Sequence, residues 1–195
     1  MTLLIPFAGL APAPWKNGGG STTEIAIAPP GASLESFDWR ISLATIAASG
    51  PFSVFPGVDR TLALVDGPGV ALDLGPDGRF FLSEDDPIVE FKGESSVMAT
   101  VADGATTDFN VMTRRERCHH RLGSRTIEGT AEFAPRGDIT ILFLADGDSL
   151  SVCSDSERIG LVRYDAVLFD TSTVWTLEAL AATVFVIDIF IKHPD

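Results

Sequence analysis

The most informative residues of the chain are Trp39-Arg-Ile-Ser42 and Gly50-Pro-Phe-Ser-Val-Phe-Pro-Gly-Val-Asp-Arg60. An apolar run follows the second stretch and extends as far as Gly67. From Phe37 the sequence alternates strictly, so one face of a strand takes Phe37, Trp39, Ile41 and Leu43, and the other takes Asp38, Arg40, Ser42 and Ala44. The proline- and glycine-rich segment that follows is typical of a turn, and Asp66-Gly-Pro-Gly69 ends the second apolar run. The pattern predicts two strands that carry one arginine each, Arg40 and Arg60.

The rest of the chain also consists of short apolar runs separated by turn residues. The runs recur about every 8 to 12 residues, which is typical of an antiparallel β-sandwich or β-barrel. No amphipathic pattern long enough for more than two helical turns is present. A break near Asp103-Gly104 divides the chain into two strand-rich halves, residues 1–103 and 104–195. The sequence therefore predicts an all-β protein, and a duplication of one half is an architectural hypothesis.

Composition restricts the class of partner and the compartment. The 195 residues contain 14 basic and 27 acidic side chains, and the formal charge of −13 argues against nucleic acid or an anionic membrane as a partner. Two cysteines, Cys118 and Cys153, form no disulfide framework, which favours a cytoplasmic protein. The apolar residues 2–13 lack the basic residues of a signal peptide, and no apolar run approaches the length of a membrane span.

Two polar segments are interpreted as loops. Trp15-Lys-Asn-Gly-Gly-Gly20 is a tight turn that leads into an edge strand, and it lacks the Gly-Lys-Ser/Thr ending of a P-loop. Thr113 to Arg125 contains five arginines and is predicted to be a solvated loop, with the lining of a site as the alternative. His119 and His120 are adjacent and would point to opposite faces of a strand, so a histidine-rich metal site is not expected.

Several motifs form a specific combination, although each is weak alone. They are Trp15-x-Asn-Gly-Gly-Gly20, Trp39-Arg-Ile-Ser42, Gly50-Pro-Phe-Ser-x-Phe-Pro-Gly-x-Asp-Arg60, Asp108-Phe-Asn-Val-Met112 with Arg114-Arg115, Phe143-Leu-x-x-Gly147 and Asp165-Ala166. In this combination the chain resembles the HutD/Ves family over most of its length. The resemblance implies a cupin-type β-barrel, with two cupin halves fused in one compact bicupin. HutD proteins accompany histidine-utilisation genes, and N-formylglutamate is a suggested ligand for a family without a firm catalytic activity.

The resemblance also allows a test for metal binding. Metal-dependent cupins carry two histidines one residue apart, then an acidic residue and a later glycine, and these positions fall here at Ser53, Phe55, Arg60 and Gly67. None of the three ligands is retained, and an arginine where a ligand belongs repels a cation. The expectation is that the protein binds no metal and no other cofactor.

The residues that replace the metal ligands suit a small anionic metabolite. Arg40 and Arg60 are expected to grip a dicarboxylate such as N-formylglutamate, since guanidinium groups bind carboxylates bidentately. The other candidate ligand-binding residues are Asn17, Glu24, Ser42, Ser53, Phe55, Asp59 and Asn110. The alternative for either arginine is an internal salt bridge, to Asp59, Glu24 or Asp108.

Three functions remain open at this point. The favoured one is a metal-independent binding protein with a sensing or regulatory role, without catalytic residues. The second is a metal-free isomerase or amide hydrolase that uses Glu24 or Asp59 as a general base, although no nucleophile–histidine pair is evident. The third is an interaction protein that forms a homodimer through exposed strand edges.

Overall fold

The computed structural model describes residues 2–170 and 173–193, which form strands connected by turns and two short 3-10 segments, Phe7–Gly9 and Gly75–Asp77. In chain order the strands are β1 (Thr2–Ile5), β2 (Pro12–Pro14), β3 (Gly20–Ala28), β4 (Trp39–Ile46), β5 (Gly50–Pro51), β6 (Val58–Asp66), β7 (Val70–Asp73), β8 (Arg79–Leu82), β9 (Ile88–Lys92), β10 (Met98–Thr100), β11 (Thr106–Arg114), β12 (Cys118–Phe133), β13 (Ile139–Asp146), β14 (Ser149–Cys153), β15 (Arg158–Val162), β16 (Ala166–Phe169) and β17 (Trp175–Ile191). The described strand pairs with an assigned register are antiparallel, which confirms the predicted all-β class. No helix in these described ranges is long and apolar enough to cross a membrane.

The chain divides into two compact units, and the division differs from the one at residue 103. One unit is formed by residues 11–118, and the other combines residues 1–10 with 119–195. Strand β11 belongs to the first unit because it pairs with β4 on one side and β6 on the other. Strand β1 belongs to the second unit because it pairs with β16.

The unit of residues 11–118 contains two sheets. The larger has the order β2-β3-β4-β11-β6-β9, and the smaller has the order β5-β10-β7-β8. Apolar side chains from both sheets pack together in one cluster, which includes Leu62 and Val89 from the larger sheet and Leu72, Leu82 and Ala99 from the smaller. Burial of these side chains stabilises the fold by roughly 1.5–3 kcal/mol for each fully buried large residue.

The other unit is built around one seven-stranded sheet. Its main order is β1-β16-β13-β17-β14-β15, and β12 also pairs with β17. Its core contains the tilted ring pairs Phe133–Phe169 and Phe169–Trp175, whose centroids are 5.5 and 5.2 Å apart.

The predicted turn at residues 15–20 is confirmed, but the edge strand predicted after it and most of the predicted loop at residues 113–125 need correction. The strand that follows Gly20 is not at the sheet edge, because β2, a strand with prolines at both ends, pairs outside it. The predicted loop from Thr113 to Arg125 is wrong for most of its length. Strand β11 extends to Arg114, and β12 begins at Cys118 and pairs with β17.

Candidate functional site

A cavity of about 580 Å³ lies within the unit of residues 11–118. Alternation along three neighbouring strands of the larger sheet directs the polar side chains into it. In the cross-strand register Met112 of β11 lies opposite Arg40 of β4 and Arg60 of β6, and Asn110 lies opposite Ser42 and Leu62. The lining consists of Ala13, Pro14, Trp15, Lys16, Asn17, Thr22, Leu34, Arg40, Ser42, Ala44, Ile46, Pro51, Phe52, Ser53, Phe55, Arg60, Leu62, Asn110 and Met112.

Arg60 is the buried cation of this cavity, with 7% of its surface exposed. Its guanidinium carbon lies 5.4, 5.6 and 5.0 Å from the ring centroids of Phe52, Phe55 and Phe91. Such distances are within the range of cation–π attraction, which is stronger for a desolvated cation. The three rings therefore hold the guanidinium group in position and separate much of it from water.

The hydrogen bonds of Arg60 are long and involve neutral acceptors. Nη1 donates to the backbone oxygen of Ser53 at 3.3 Å, and Nη2 donates to Oδ1 of Asn110 at 3.4 Å. Nε is buried without a hydrogen-bond partner among the described residues. Within the same described ranges no carboxylate forms an ion pair with Arg60. The salt-bridge interpretation is therefore wrong for Arg60 in the described part of the chain.

Burial and a second cation both lower the pKa of Arg60. Desolvation, and after it the positive charge of Arg40, lower the pKa of Arg60 to about 10. The side chain is still protonated at neutral pH. An anion in the cavity would relieve both effects, because it would attract Arg60 and offset its repulsion with Arg40.

Arg40 has a different environment, and for this residue the salt-bridge interpretation is confirmed. Its Nε donates to Oε2 of Glu24 at 2.8 Å, and its Nη1 donates to Oγ of Ser42 at 3.4 Å. Glu24 comes within reach because β3 pairs with β4 and Glu24 lies opposite Ser42. The charge of Arg40 is thus partly offset by Glu24 before any ligand binds.

The structure brings most of the predicted ligand-binding residues together. Arg40, Arg60, Asn17, Ser42, Ser53, Phe55 and Asn110 all line the cavity. Glu24 does not line the cavity, although it forms an ion pair with Arg40, which does. Asp59 lies on the opposite face of β6 from Arg60 and accepts a hydrogen bond from Nη1 of Arg115 at 2.7 Å. The two carboxylates that the enzyme hypothesis used as general bases are therefore both paired with arginines, and neither belongs to the lining.

Sequence reasoning missed several lining residues. Lys16 and Trp15 precede the predicted Asn17 in the same turn, and Phe52 lies in the motif that contains Ser53 and Phe55. Met112 shares a strand face with Asn110, so alternation could have indicated it. Leu34 lies in a connection between strands, where no periodic pattern marks it.

The cavity differs in charge from the protein as a whole. Its described lining contains three cationic side chains, Lys16, Arg40 and Arg60, and no acidic one, whereas the whole chain has a formal charge of −13. A local excess of positive charge in a negative protein attracts small anions without attracting nucleic acid.

The donor set of the cavity does not suit a transition metal. No group of three or more His, Cys, Asp or Glu side chains in residues 2–170 and 173–193 is arranged to hold a metal ion. We predict that elemental analysis of protein purified without a histidine tag will show well under one transition metal per chain. Stoichiometric zinc, iron or manganese that resists dialysis would contradict this prediction.

The sequence of this chain is similar to those of several bacterial proteins. Over 131 residues the chain is 39% identical to protein Ves from Citrobacter koseri, an alignment that spans 66% of this chain and 65% of that protein. It is 36% identical over 157 residues, or 79% of each chain, to an uncharacterised 21.2 kDa protein in the hutC 3′ region of Pseudomonas putida.

A solved structure of HutD from Pseudomonas fluorescens is 28% identical, covers 99% of this chain and all of that chain, and superimposes with a TM-score of 0.82. This likeness supports the cupin-type fold that the sequence motifs implied. The family model for HutD matches residues 8–186. The match covers most of the sequence, and the chain therefore belongs to the HutD family.

Proposed function

We propose that this HutD-family protein binds a small carboxylate metabolite, such as N-formylglutamate, in the cavity around Arg60 without a metal ion. The observation that carries the proposal is the buried guanidinium group without an ion-pair partner among the described residues. A buried charge without a partner is costly to the folded protein. Binding of an anion compensates for that cost, so the site is prepared for a carboxylate.

The hydrogen bonds of Arg60 support the same proposal. Its bonds to Ser53 and Asn110, at 3.3 and 3.4 Å, are longer than the roughly 2.7–2.9 Å of a charged guanidinium–carboxylate pair. Each of these Nη atoms has a second N–H that these two bonds do not use. Asn110, which lies beside Arg60, offers an amide for a formyl or amide group of the ligand.

The proposed role is regulation or sensing in histidine utilisation. Family membership and the position of the Pseudomonas putida relative near hutC support this role. A binding protein needs no general base, which agrees with the pairing of Glu24 and Asp59 with arginines.

The proposal predicts that binding depends on the charge of the ligand. N-formylglutamate, added at about 100 times its dissociation constant, stabilises the folded protein by about 2.7 kcal/mol, or roughly 5–10 °C in melting temperature. The neutral diamide of the same shape is expected to give a much smaller shift, because it cannot pair with Arg60. Thermal denaturation with each compound in the same buffer measures the difference. Equal shifts with both compounds, or no shift with either, would contradict the proposal.

A further inference from the structure

The three cationic side chains that line the cavity differ in whether a carboxylate pairs with them. Glu24 is bonded to Arg40 at 2.8 Å and partly offsets its charge. The lining then retains two cations without a carboxylate partner in the described structure, Arg60 and Lys16. Arg60 is buried and Lys16 is exposed, so one belongs to the inner part of the lining and the other to its outer part.

The turn that carries Lys16 is held in place by hydrogen bonds on both sides of this residue. The indole Nε1 of Trp15 donates to Oγ1 of Thr22 at 2.8 Å, and the backbone N of Trp15 donates to the oxygen of Gly20 at 2.9 Å. The backbone N of Gly18 donates to the oxygen of Trp15 at 3.0 Å. Gly18 has a φ of +71°, a conformation that favours glycine. The backbone of Lys16 is therefore fixed at the cavity.

We propose that Lys16 is a specificity-determining residue that receives a second acidic group of the ligand, while Arg60 receives the first. The inference rests on the proposed function and deepens it, because it makes the ligand a diacid whose two acidic groups are separated. Arg40 is a poorer partner for the second group, since Glu24 beside it repels the same carboxylate. Lys16 has no such opposing charge among its described contacts.

A pair of ligands that differ only in the second acidic group tests this inference. N-formyl-L-glutamine replaces the side-chain carboxylate of N-formyl-L-glutamate with an amide of similar shape. We expect the protein to bind the glutamate compound about two- to fivefold more tightly, the effect of one exposed ion pair. The preference should decrease as salt is added, because exposed charges are screened.

Two variants of the protein complete the experiment. In Lys16→Gln the affinity for N-formyl-L-glutamate should fall to about that for N-formyl-L-glutamine, whose affinity should not change. Lys92→Gln is the matched control, because Lys92 is an exposed lysine of β9 that does not line the cavity. It changes the net charge equally and should retain the preference.

Each other outcome has a defined meaning. If Lys16→Gln weakens both ligands equally, or leaves the preference intact, the assignment of Lys16 is wrong although the cavity still binds acids. If the unmodified protein binds neither compound, or if Arg60→Met binds as tightly as the unmodified protein, the proposed function fails and this inference fails with it. Isothermal titration calorimetry of the unmodified protein and of the Lys16→Gln, Lys92→Gln and Arg60→Met variants with both ligands distinguishes these cases.

Discussion

Replacement of Arg60 with methionine should weaken binding of N-formylglutamate at least about 100-fold and leave the ligand-free protein folded. Charge-assisted hydrogen bonds contribute roughly 1.5–3 kcal/mol each, and a bidentate contact loses two of them. The free protein should keep its stability or gain some, because methionine places an apolar side chain of similar length among Phe52, Phe55 and Phe91. It also removes a desolvated charge that has no ion-pair partner in the described structure.

Calorimetry and thermal denaturation measure the two effects separately. Arg60→Lys keeps the charge and loses the planar fork of donors, so its affinity should fall about tenfold, between those of the unmodified protein and Arg60→Met. Unfolding of the methionine variant, combined with no response of the unmodified protein to any small acid, would make Arg60 a structural residue. The cavity would then lose its main functional argument.

A second large effect is expected from Asp108, a carboxyl with no exposed surface on β11. The hydroxyl of Thr106 donates to Oδ2 at 2.7 Å, and Oδ1 has no hydrogen-bond partner among the described residues. Burial raises the pKa of Asp108 to about 7, and the bond from Thr106 offsets only part of this rise. In an unfolded chain the pKa of an aspartate is about 3.9.

The difference in pKa determines how stability changes with pH. Because the folded protein holds the proton more tightly, the contribution of Asp108 to stability falls as the pH rises from about 4 to about 7 and is constant above that. The total loss is roughly 4 kcal/mol at most. Asp108→Asn imitates the protonated carboxyl at every pH, so the variant should exceed the unmodified protein in stability by an amount that grows over this range.

Urea unfolding between about pH 5 and about pH 8 measures this difference. Other carboxylates titrate as well, so only the difference between the variant and the unmodified protein is informative. Asp85→Asn, at an exposed position, is the matched control and should show little difference at any pH. A variant that is less stable than the unmodified protein at pH 8 would show that the ionised Asp108 is stabilised by its surroundings.

The alternation of residues was enough to predict much of the cavity wall. The face assigned to Arg40, Ser42 and Ala44 is the face that lines the cavity, and Asn110 and Met112 follow the same rule. Two-residue periodicity is a local property of a strand, and it is therefore readable in the sequence.

The pairing of charges could not be predicted in the same way. Arg40 pairs with Glu24, which is 16 residues away, because β3 and β4 adopt a register with an irregularity between Glu24 and Ala26. Arg60 has no described ion pair although Asp59 precedes it, since adjacent strand residues point to opposite faces. The register of a sheet depends on the packing of the whole unit, and two arginines that both lie on strands of one sheet therefore have different surroundings.

The length of β12 could not be predicted from the sequence for another reason. Its residues are mostly exposed and include arginines, histidines and two glycines, a composition that indicates a loop. The strand exists because β17 provides a partner for its backbone groups. The composition of an exposed strand therefore gives little indication that its backbone pairs with a strand distant in sequence.

The pairing of β1 with β16 has a consequence for the order in which the protein folds on the ribosome. Thr2 lies opposite Phe169, so β1 has to wait, without its partner, until almost the whole chain has been synthesised. Residues 11–118 contain all the strands of their own two sheets, so the pairing of these strands does not depend on β16. Closing such a long loop costs entropy before any contact is formed, which slows folding. The capture of β1 is therefore a late step of folding, and until it occurs the edge of β16 is open to strands of other nascent chains.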